Sequence, residues 1–244
     1  MVRPGPRGAL SEPRRIVPRH RPSTPSPLHD PDQRRRGRRH LAKVDPELAR
    51  TISHLGDRRP GRRIPHFERL CGTIIGQQLS VVAARTITDR LRRRAGRLDP
   101  AALAGLDDAD LRACGLSAAK AAALRDLCAH VDDGRLRPDQ LWRSDDETVT
   151  ERLVRVRGIG PWSADMFLLF GLGRRDVWAT GDLGLRRALQ LMDGLEDMPS
   201  VPAMIARAEA WRPWRGLASL YLWARLEPDG ELTRNDTGDK RTPS

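Results

Sequence analysis

Residues 156–162 constrain the fold of this chain most strongly, because they combine two glycines and a proline between two segments with helical apolar spacing. Gly158 and Gly160 permit a positive φ and a close approach of the backbone. Pro161 suits the first turn of a following helix, where its missing N–H is not needed. The pattern predicts a tight hairpin between two helices, with the first amides of the second helix facing outward.

Helical periodicity and helix-start residues recur through the rest of the chain. Asp45, Ser80 and Ser117 are typical N-cap residues, each followed by apolar residues three and four positions apart. No two apolar runs are joined by a β-hairpin signal, so the sequence predicts an all-α fold. The predicted helices cover residues 46–55, 65–75, 80–94, 117–134, 144–156, 161–172, 182–192, 200–210 and 216–226.

Composition excludes several classes of protein. Among 244 residues only 4% are aromatic, which disfavours an all-β sandwich. Three widely spaced cysteines do not fit a zinc finger or an iron–sulfur cluster, and no apolar run is long enough for a membrane span. The first residues lack the apolar segment of a secretory signal, so we expect a cytoplasmic protein.

Most of the formal net charge of +12 lies in the first 63 residues, which favours a polyanionic partner. Residues 1–40 are rich in arginine and proline and show almost no apolar periodicity, so we expect a disordered tail there. Residues 228–244 have a similar polar character, which leaves residues 41–227 as the folded domain. Two explanations of the long N-terminal extension remain open: non-specific DNA tethering, or a translation start assigned upstream of the true methionine.

The predicted hairpin has a chemical use as well as a structural one. Outward-facing amides at the start of a helix bind phosphate, so a helix-hairpin-helix can hold a DNA backbone without reading its sequence. An ordinary turn between two helices is the alternative, since Gly-x-Gly alone is a weak signal.

Asp182 follows an irregular loop and is predicted to cap the helix 182–192. An N-cap is the common role of such an aspartate. It is compatible with catalysis, because a carboxylate at a helix N-terminus stays ionised and is held on a rigid element.

Four sequence blocks, in order, carry a family resemblance. They are Ile-Gly-Gln-Gln-Leu-Ser at 75–80, Gly-Ile-Gly-Pro-Trp-Ser-Ala at 158–164, Asp-Val-x-x-x-x-Asp-Leu-Gly-Leu-Arg-Arg at 176–187 and Trp-Arg-Pro-Trp-Arg at 211–215. Residues 42–227 thereby resemble the helix-hairpin-helix superfamily of DNA glycosylases, and within it the alkylated-base branch, DNA-3-methyladenine glycosylase II. The resemblance implies a two-lobed all-α fold, with the hairpin at about 150–172 and the active site in a cleft between the lobes.

The resemblance also implies roles for individual residues. Asp182 matches the essential aspartate, which stabilises positive charge on the sugar and orients or deprotonates the attacking water. Trp162 and Met166 match one wall of the base pocket, and Trp223 matches another. Plain core packing is the alternative for these apolar residues. Members that also cleave the strand have a lysine where Trp162 stands, so the resemblance implies hydrolysis without strand cleavage.

Two segments match the parts of the family that contact DNA. The hairpin would bind the backbone, and the turn before the helix 80–94 would enter the duplex as a wedge, with Gln78 as the plug and Leu79 beside it. The predicted DNA-binding residues are Gly158, Ile159, Gly160, Gln77, Gln78 and Leu79.

We therefore expect a monomeric, nucleoid-associated enzyme of base excision repair that releases alkylated purines, such as 3-methyladenine and 7-methylguanine, from duplex DNA. No protein-bound metal or cofactor is expected. Relatives bind a monovalent cation at the hairpin, which makes the carbonyls around Gly158 and Gly160 candidates for one. Two alternatives remain open: a glycosylase for uracil, hypoxanthine or mismatched bases, and a non-catalytic DNA-binding protein.

Overall fold

The computed structural model describes residues 28–226, and within that range it contains twelve α-helices and no strand. The all-α prediction is confirmed for this part of the chain. The helices are α1 (Pro31–Val44), α2 (Pro46–Leu55), α3 (His66–Gly76), α4 (Val81–Ala95), α5 (Pro100–Ala104), α6 (Asp108–Ala113), α7 (Ala118–Asp132), α8 (Asp146–Leu153), α9 (Pro161–Met166), α10 (Leu183–Asp193), α11 (Val201–Ala208) and α12 (Arg215–Arg225). Two 3₁₀ turns, Pro138–Arg143 and Glu209–Trp211, and one π-helical turn, Phe167–Gly171, complete the elements.

Side-chain caps explain why the helices begin where the sequence predicts. The side-chain oxygen of each cap residue accepts a hydrogen bond from a backbone N–H in the first turn of the helix that follows. These cap residues are Asp45, Ser80, Ser117, Asp182 and Ser200. The prediction for α8 is wrong by one residue: Asp145, rather than Ser144, accepts the N–H of Thr148 at 2.7 Å.

The predicted tail through residue 40 is wrong from residue 28 onward, because α1 belongs to the folded domain. The guanidinium of Arg34 is buried, with 5% of its residue surface exposed, and it donates to the Asp57 carboxylate and to the carbonyl of Leu28. An arginine run that looks like a solvated segment therefore includes one structural ion pair. The tail predictions for residues 1–27 and 227–244 lie outside the described residues.

At Gly37, α1 packs closely against the start of α12. A Cβ at this position would lie 2.6 Å from Leu217 Cδ2 and 2.7 Å from Trp214 Cε3. This close packing depends on a missing side chain, which an apolar pattern cannot reveal.

The helices form two lobes, as predicted. In one lobe α1 and α2 pack against each other and against α12, which also contacts α10; in the other, α3 packs against α4 and α7, and α8 packs against α9. Asp45 joins the start of α2 to α11 and the 3₁₀ turn after it, because its buried carboxylate accepts Trp211 Nε1 at 2.8 Å and pairs with Arg207 at 2.7 Å.

The predicted helix 161–172 changes geometry in its middle. It is α-helical over α9 and π-helical over Phe167–Gly171. The wider turn changes the direction in which the later side chains point, and π-turns of this kind are frequent at functional sites. Within residues 28–226, no helix has both the length and the hydropathy needed to cross a bilayer.

Candidate active site

The hairpin between α8 and α9 is built from a glycine turn and a buried anchor. Gly158 has φ +78°, and a Cβ there would lie 2.9 Å from the Cβ of Ala123, so both conformation and packing require glycine. Ile159 is buried, and its N–H donates to the carbonyl of Val156 at 3.0 Å. Gly160 caps α9 with φ −95° and therefore does not use the positive φ that its sequence permits.

The turn between α3 and α4 holds Gln77, Gln78 and Leu79, which were predicted to bind DNA, and the structure separates them. The Gln77 amide points into the protein, where Nε2 donates to the carbonyl of Gly158 at 2.6 Å and to Ser163 Oγ at 2.9 Å. Gln78 and Leu79 are exposed, and Gln78 has φ +57°. DNA contact by these residues remains a prediction, as does a cation at the hairpin carbonyls.

Asp182 lies at the N-terminus of α10, and both of its carboxylate oxygens are bound. Oδ1 accepts the N–H of Leu185 at 2.7 Å and Nε1 of Trp223 at 2.9 Å. Oδ2 accepts Nε1 of Trp162 at 2.8 Å. The structure therefore brings together the predicted catalytic aspartate and the two predicted tryptophans.

The Asp182 carboxylate is bound by side chains from helices of both lobes. Trp162 comes from α9 in one lobe and Trp223 from α12 in the other. Three N–H groups at the N-terminus of α10 and on the two indoles hold the Asp182 carboxylate in place. A carboxylate offers about four acceptor positions, so one position on Oδ2 is left for a ligand or water.

The remaining predicted pocket residue, Met166, is buried with 8% exposure one turn after Trp162. Phe170, which sequence reasoning did not single out, stacks on Trp223 with ring centroids 5.7 Å apart and an interplanar angle of 28°. Phe170 lies in a run of apolar residues, so no periodic signal distinguishes it from its neighbours. Phe170 therefore lies against one face of the Trp223 indole.

Gly184 is a second residue that sequence reasoning missed. A Cβ there would lie 3.0 Å from Asp182 Oδ1 and 3.3 Å from both Cδ1 and Nε1 of Trp223. The absence of a side chain at this position in α10 lets the indole reach the carboxylate. The only available signal was the position of this glycine two residues after the aspartate.

An acidic cavity of about 360 Å³ lies apart from Asp182 and the two tryptophans. Burial, reinforced by the charge of Asp146, raises the pKa of Asp165 to about 6. The lining of this cavity includes the carboxylates of Asp146, Glu147, Glu151, Asp165 and Asp176. Within residues 28–226 no group of three or more histidine, cysteine, aspartate or glutamate side chains is arranged to hold a metal ion.

Comparison with known proteins agrees with this geometry. Residues 71–215 match the family model described as HhH-GPD superfamily base excision DNA repair protein. DNA-3-methyladenine glycosylase 1 of Schizosaccharomyces pombe is 29% identical over 191 residues, covering 75% of this chain and 84% of the relative. DNA-3-methyladenine glycosylase 2 of Escherichia coli is 33% identical over 188 residues, covering 70% of this chain and 63% of the relative.

The chain spans 56% of the length of another relative, Bacillus subtilis YfjP, with which it is 35% identical over 162 residues, 63% of this chain. Among solved structures, Schizosaccharomyces pombe 3-methyladenine DNA glycosylase (Mag1) in complex with abasic DNA superposes with a TM-score of 0.74 at 28% identity, covering 80% of this chain and 98% of that one. The family predicted from the sequence blocks is confirmed, and the chain belongs to the HhH-GPD superfamily of base excision DNA repair proteins.

Proposed function

We propose that this protein is a monofunctional DNA glycosylase that hydrolyses the N-glycosidic bond of alkylated purines, of the 3-methyladenine and 7-methylguanine type, in duplex DNA. The observation that carries the proposal is the Asp182 carboxylate bound by the indole N–H groups of Trp162 and Trp223. The names of the relatives and the abasic-DNA complex of Mag1 support it.

Asp182 would act mainly through its charge. As the base departs, positive charge develops on the sugar, and a fixed carboxylate stabilises that charge. The acceptor position left on Oδ2 would orient the attacking water or accept its proton. An N-alkylated purine already carries positive charge and leaves readily, so the site needs no strong general acid.

The two indoles would bind the base through their faces, because their N–H edges are directed at Asp182. A cationic purine stacked on an indole gains about 1–2 kcal/mol from cation–π attraction. Since Phe170 covers one face of Trp223, the base would stack on the opposite face. Trp162 supplies no amine for a Schiff base, so the sugar–phosphate backbone is expected to stay intact.

The DNA itself would be held at two places. The exposed backbone of Gly158 and Gly160 would bind a phosphate at the start of α9. Gln78, exposed at the tip of its turn, would fill the space that the extruded nucleotide leaves.

Asp182→Asn tests the proposal because it removes the charge and nearly preserves the shape of the side chain. On duplexes that contain 3-methyladenine or 7-methylguanine, we expect base release to fall by about a hundredfold or more. DNA affinity and thermal unfolding should change little, and Asp197→Asn, an exposed aspartate, is the matched control. Equal base release by Asp182→Asn and the unmodified protein would refute the role of Asp182.

The same assay separates the alternatives. Duplexes with uracil, hypoxanthine or a mismatch identify a glycosylase of different specificity, and DNA binding without release of any base identifies a non-catalytic protein. Strand cleavage without alkali treatment would contradict the monofunctional assignment.

A further inference from the structure

The turn between α3 and α4 is bound from two sides. On one side the Gln77 amide donates to the Gly158 carbonyl and to Ser163 Oγ. On the other side Lys120 Nζ donates to the carbonyl of Ile75 at 2.7 Å and to the carbonyl of Gln77 at 2.9 Å. Four hydrogen bonds from two side chains therefore link this turn to the hairpin and to the first turn of α7.

The turn needs such support because its backbone is unfavourable. Gln78 is the one residue other than glycine with positive φ among residues 28–226, and a left-handed conformation is unfavourable for a residue with a Cβ. The Lys120 ammonium binds carbonyl oxygens at the end of α3, which have no partner within the helix. The bonds that fix residues 75 and 77 thus determine where the exposed side chain of Gln78 points.

The hydrogen bond between Gln77 and Gly158 joins the turn to the hairpin at a carbonyl group. Gly158 is the positive-φ residue of the hairpin, and its carbonyl, rather than its N–H, is the group that Gln77 binds. This bond therefore uses no N–H group of the hairpin. The wedge turn and the phosphate-binding hairpin are therefore joined by a direct hydrogen bond over 81 residues of sequence.

We propose that Gln77 and Lys120 are positioning residues that fix the wedge residue Gln78 at a set distance from the phosphate-binding hairpin. The inference rests on the proposed function, since it takes Gln78 to enter the duplex. Rigid spacing of the two contacts lets one binding event hold the backbone and open the base stack together.

Gln77→Leu removes both donors and keeps the approximate volume of the side chain. In single-turnover reactions on duplex substrate we expect the rate of base release to fall about tenfold, with affinity for undamaged duplex changed less than about twofold. The loss should shrink when the damaged base lies in an unpaired bulge, because such a base needs no wedge. Lys120→Met should show the same pattern, and Lys120→Arg, which keeps the charged donors, should restore the rate.

Gln190→Leu is the matched control for a merely structural effect. Gln190 is buried, and its Nε2 donates to the Glu196 carbonyl at 2.7 Å, so this variant also loses an amide-to-carbonyl hydrogen bond. If the role of Gln77 is purely structural, Gln77→Leu and Gln190→Leu should lower the rate of base release equally. The loss should also be the same on duplex substrate and on substrate with the damaged base in a bulge. That result would overturn the inference.

The extrusion of the damaged nucleotide can be measured separately from base release by the fluorescence of 2-aminopurine placed next to the lesion. Asp182→Asn is the parent protein for this measurement, because it is expected to release little base. A weaker fluorescence increase with Asp182→Asn/Gln77→Leu than with the parent would support positioning, and an unchanged increase would refute it. Absence of base release by the unmodified protein would count against the proposed function alone, so the two failures are distinguishable.

Discussion

At the scale of single residues, the sequence predicts the helix-capping role of Asp182 but does not predict all the contacts around it. The cap position of Asp182 follows from local chemistry, and the family resemblance predicted its two tryptophan neighbours. The stacking of Phe170 and the inward direction of the Gln77 amide depend on neighbours distant in sequence. No local pattern could have indicated them.

Gly184→Ala tests whether the close approach of Trp223 to Asp182 matters. The added Cβ would lie 3.0 Å from Asp182 Oδ1 and 3.3 Å from the indole, so one of them must move. We expect base release to fall about tenfold through lost preorganisation. The free energy of unfolding should change by less than about 1 kcal/mol, because alanine also favours the helix.

Gly181→Ala is the control for Gly184→Ala, since a Cβ at residue 181 meets no atom within 4 Å. Base release and chemical denaturation are measured for both variants. Equal activity of the two proteins would show that the indole does not need its present position.

At the scale of elements, cap residues made most helices predictable, and two departures have physical causes. The π-turn Phe167–Gly171 has the apolar composition of an ordinary helix, so its wider geometry is invisible in the sequence. The first helix, α1, was missed because its arginines dominate the composition and because it packs closely through Gly37, which carries no apolar side chain.

Gly37→Ala tests whether α1 is part of the cooperative fold. The Cβ would overlap Trp214 and Leu217, and an indole in a packed core cannot easily move aside. We expect the free energy of unfolding to fall by about 1–3 kcal/mol. Urea denaturation measures the change.

Gly72→Ala in α3 is the matched control, because a Cβ there meets nothing within 4 Å. This substitution should raise the free energy of unfolding by about 0.5–1 kcal/mol through helix propensity. A stabilising Gly37→Ala would contradict the packing of α1 described above.

At the scale of the whole molecule, the two-lobed arrangement followed from the resemblance, whereas the contacts that join distant segments did not. Asp45 and Trp211 are 166 residues apart, and nothing in either local sequence indicates that they bond. The acidic cavity is likewise assembled from α8, α9 and the loop before α10, so its carboxylates meet only after folding.

Asp165→Asn tests the energetic effect of this cavity. The pKa of Asp165 is raised by burial, and further by Asp146, from 3.8 to about 6. Its contribution to stability is therefore complete below about pH 4 and is lost as the pH rises through 6. We expect the variant to be more stable than the parent by about 1–3 kcal/mol at pH 8, and no more stable at pH 4.

Urea denaturation at pH 4, 6 and 8 measures this difference, with the exposed Asp197→Asn as the control. A stability difference between Asp165→Asn and the parent that does not vary with pH would show that Asp165 ionises freely in the folded protein.

Because Trp162 and Trp223 both bind Asp182, the position of the Asp182 charge would depend on the size of the bound base. Both indole N–H groups that bind the carboxylate belong to rings that would enclose the base. A bulkier base that pushes the two rings apart would therefore also lengthen their hydrogen bonds to Asp182. In the proposed reaction, discrimination between lesions would then arise in the speed of bond breaking more than in the tightness of binding. Selectivity in this protein would be kinetic in origin.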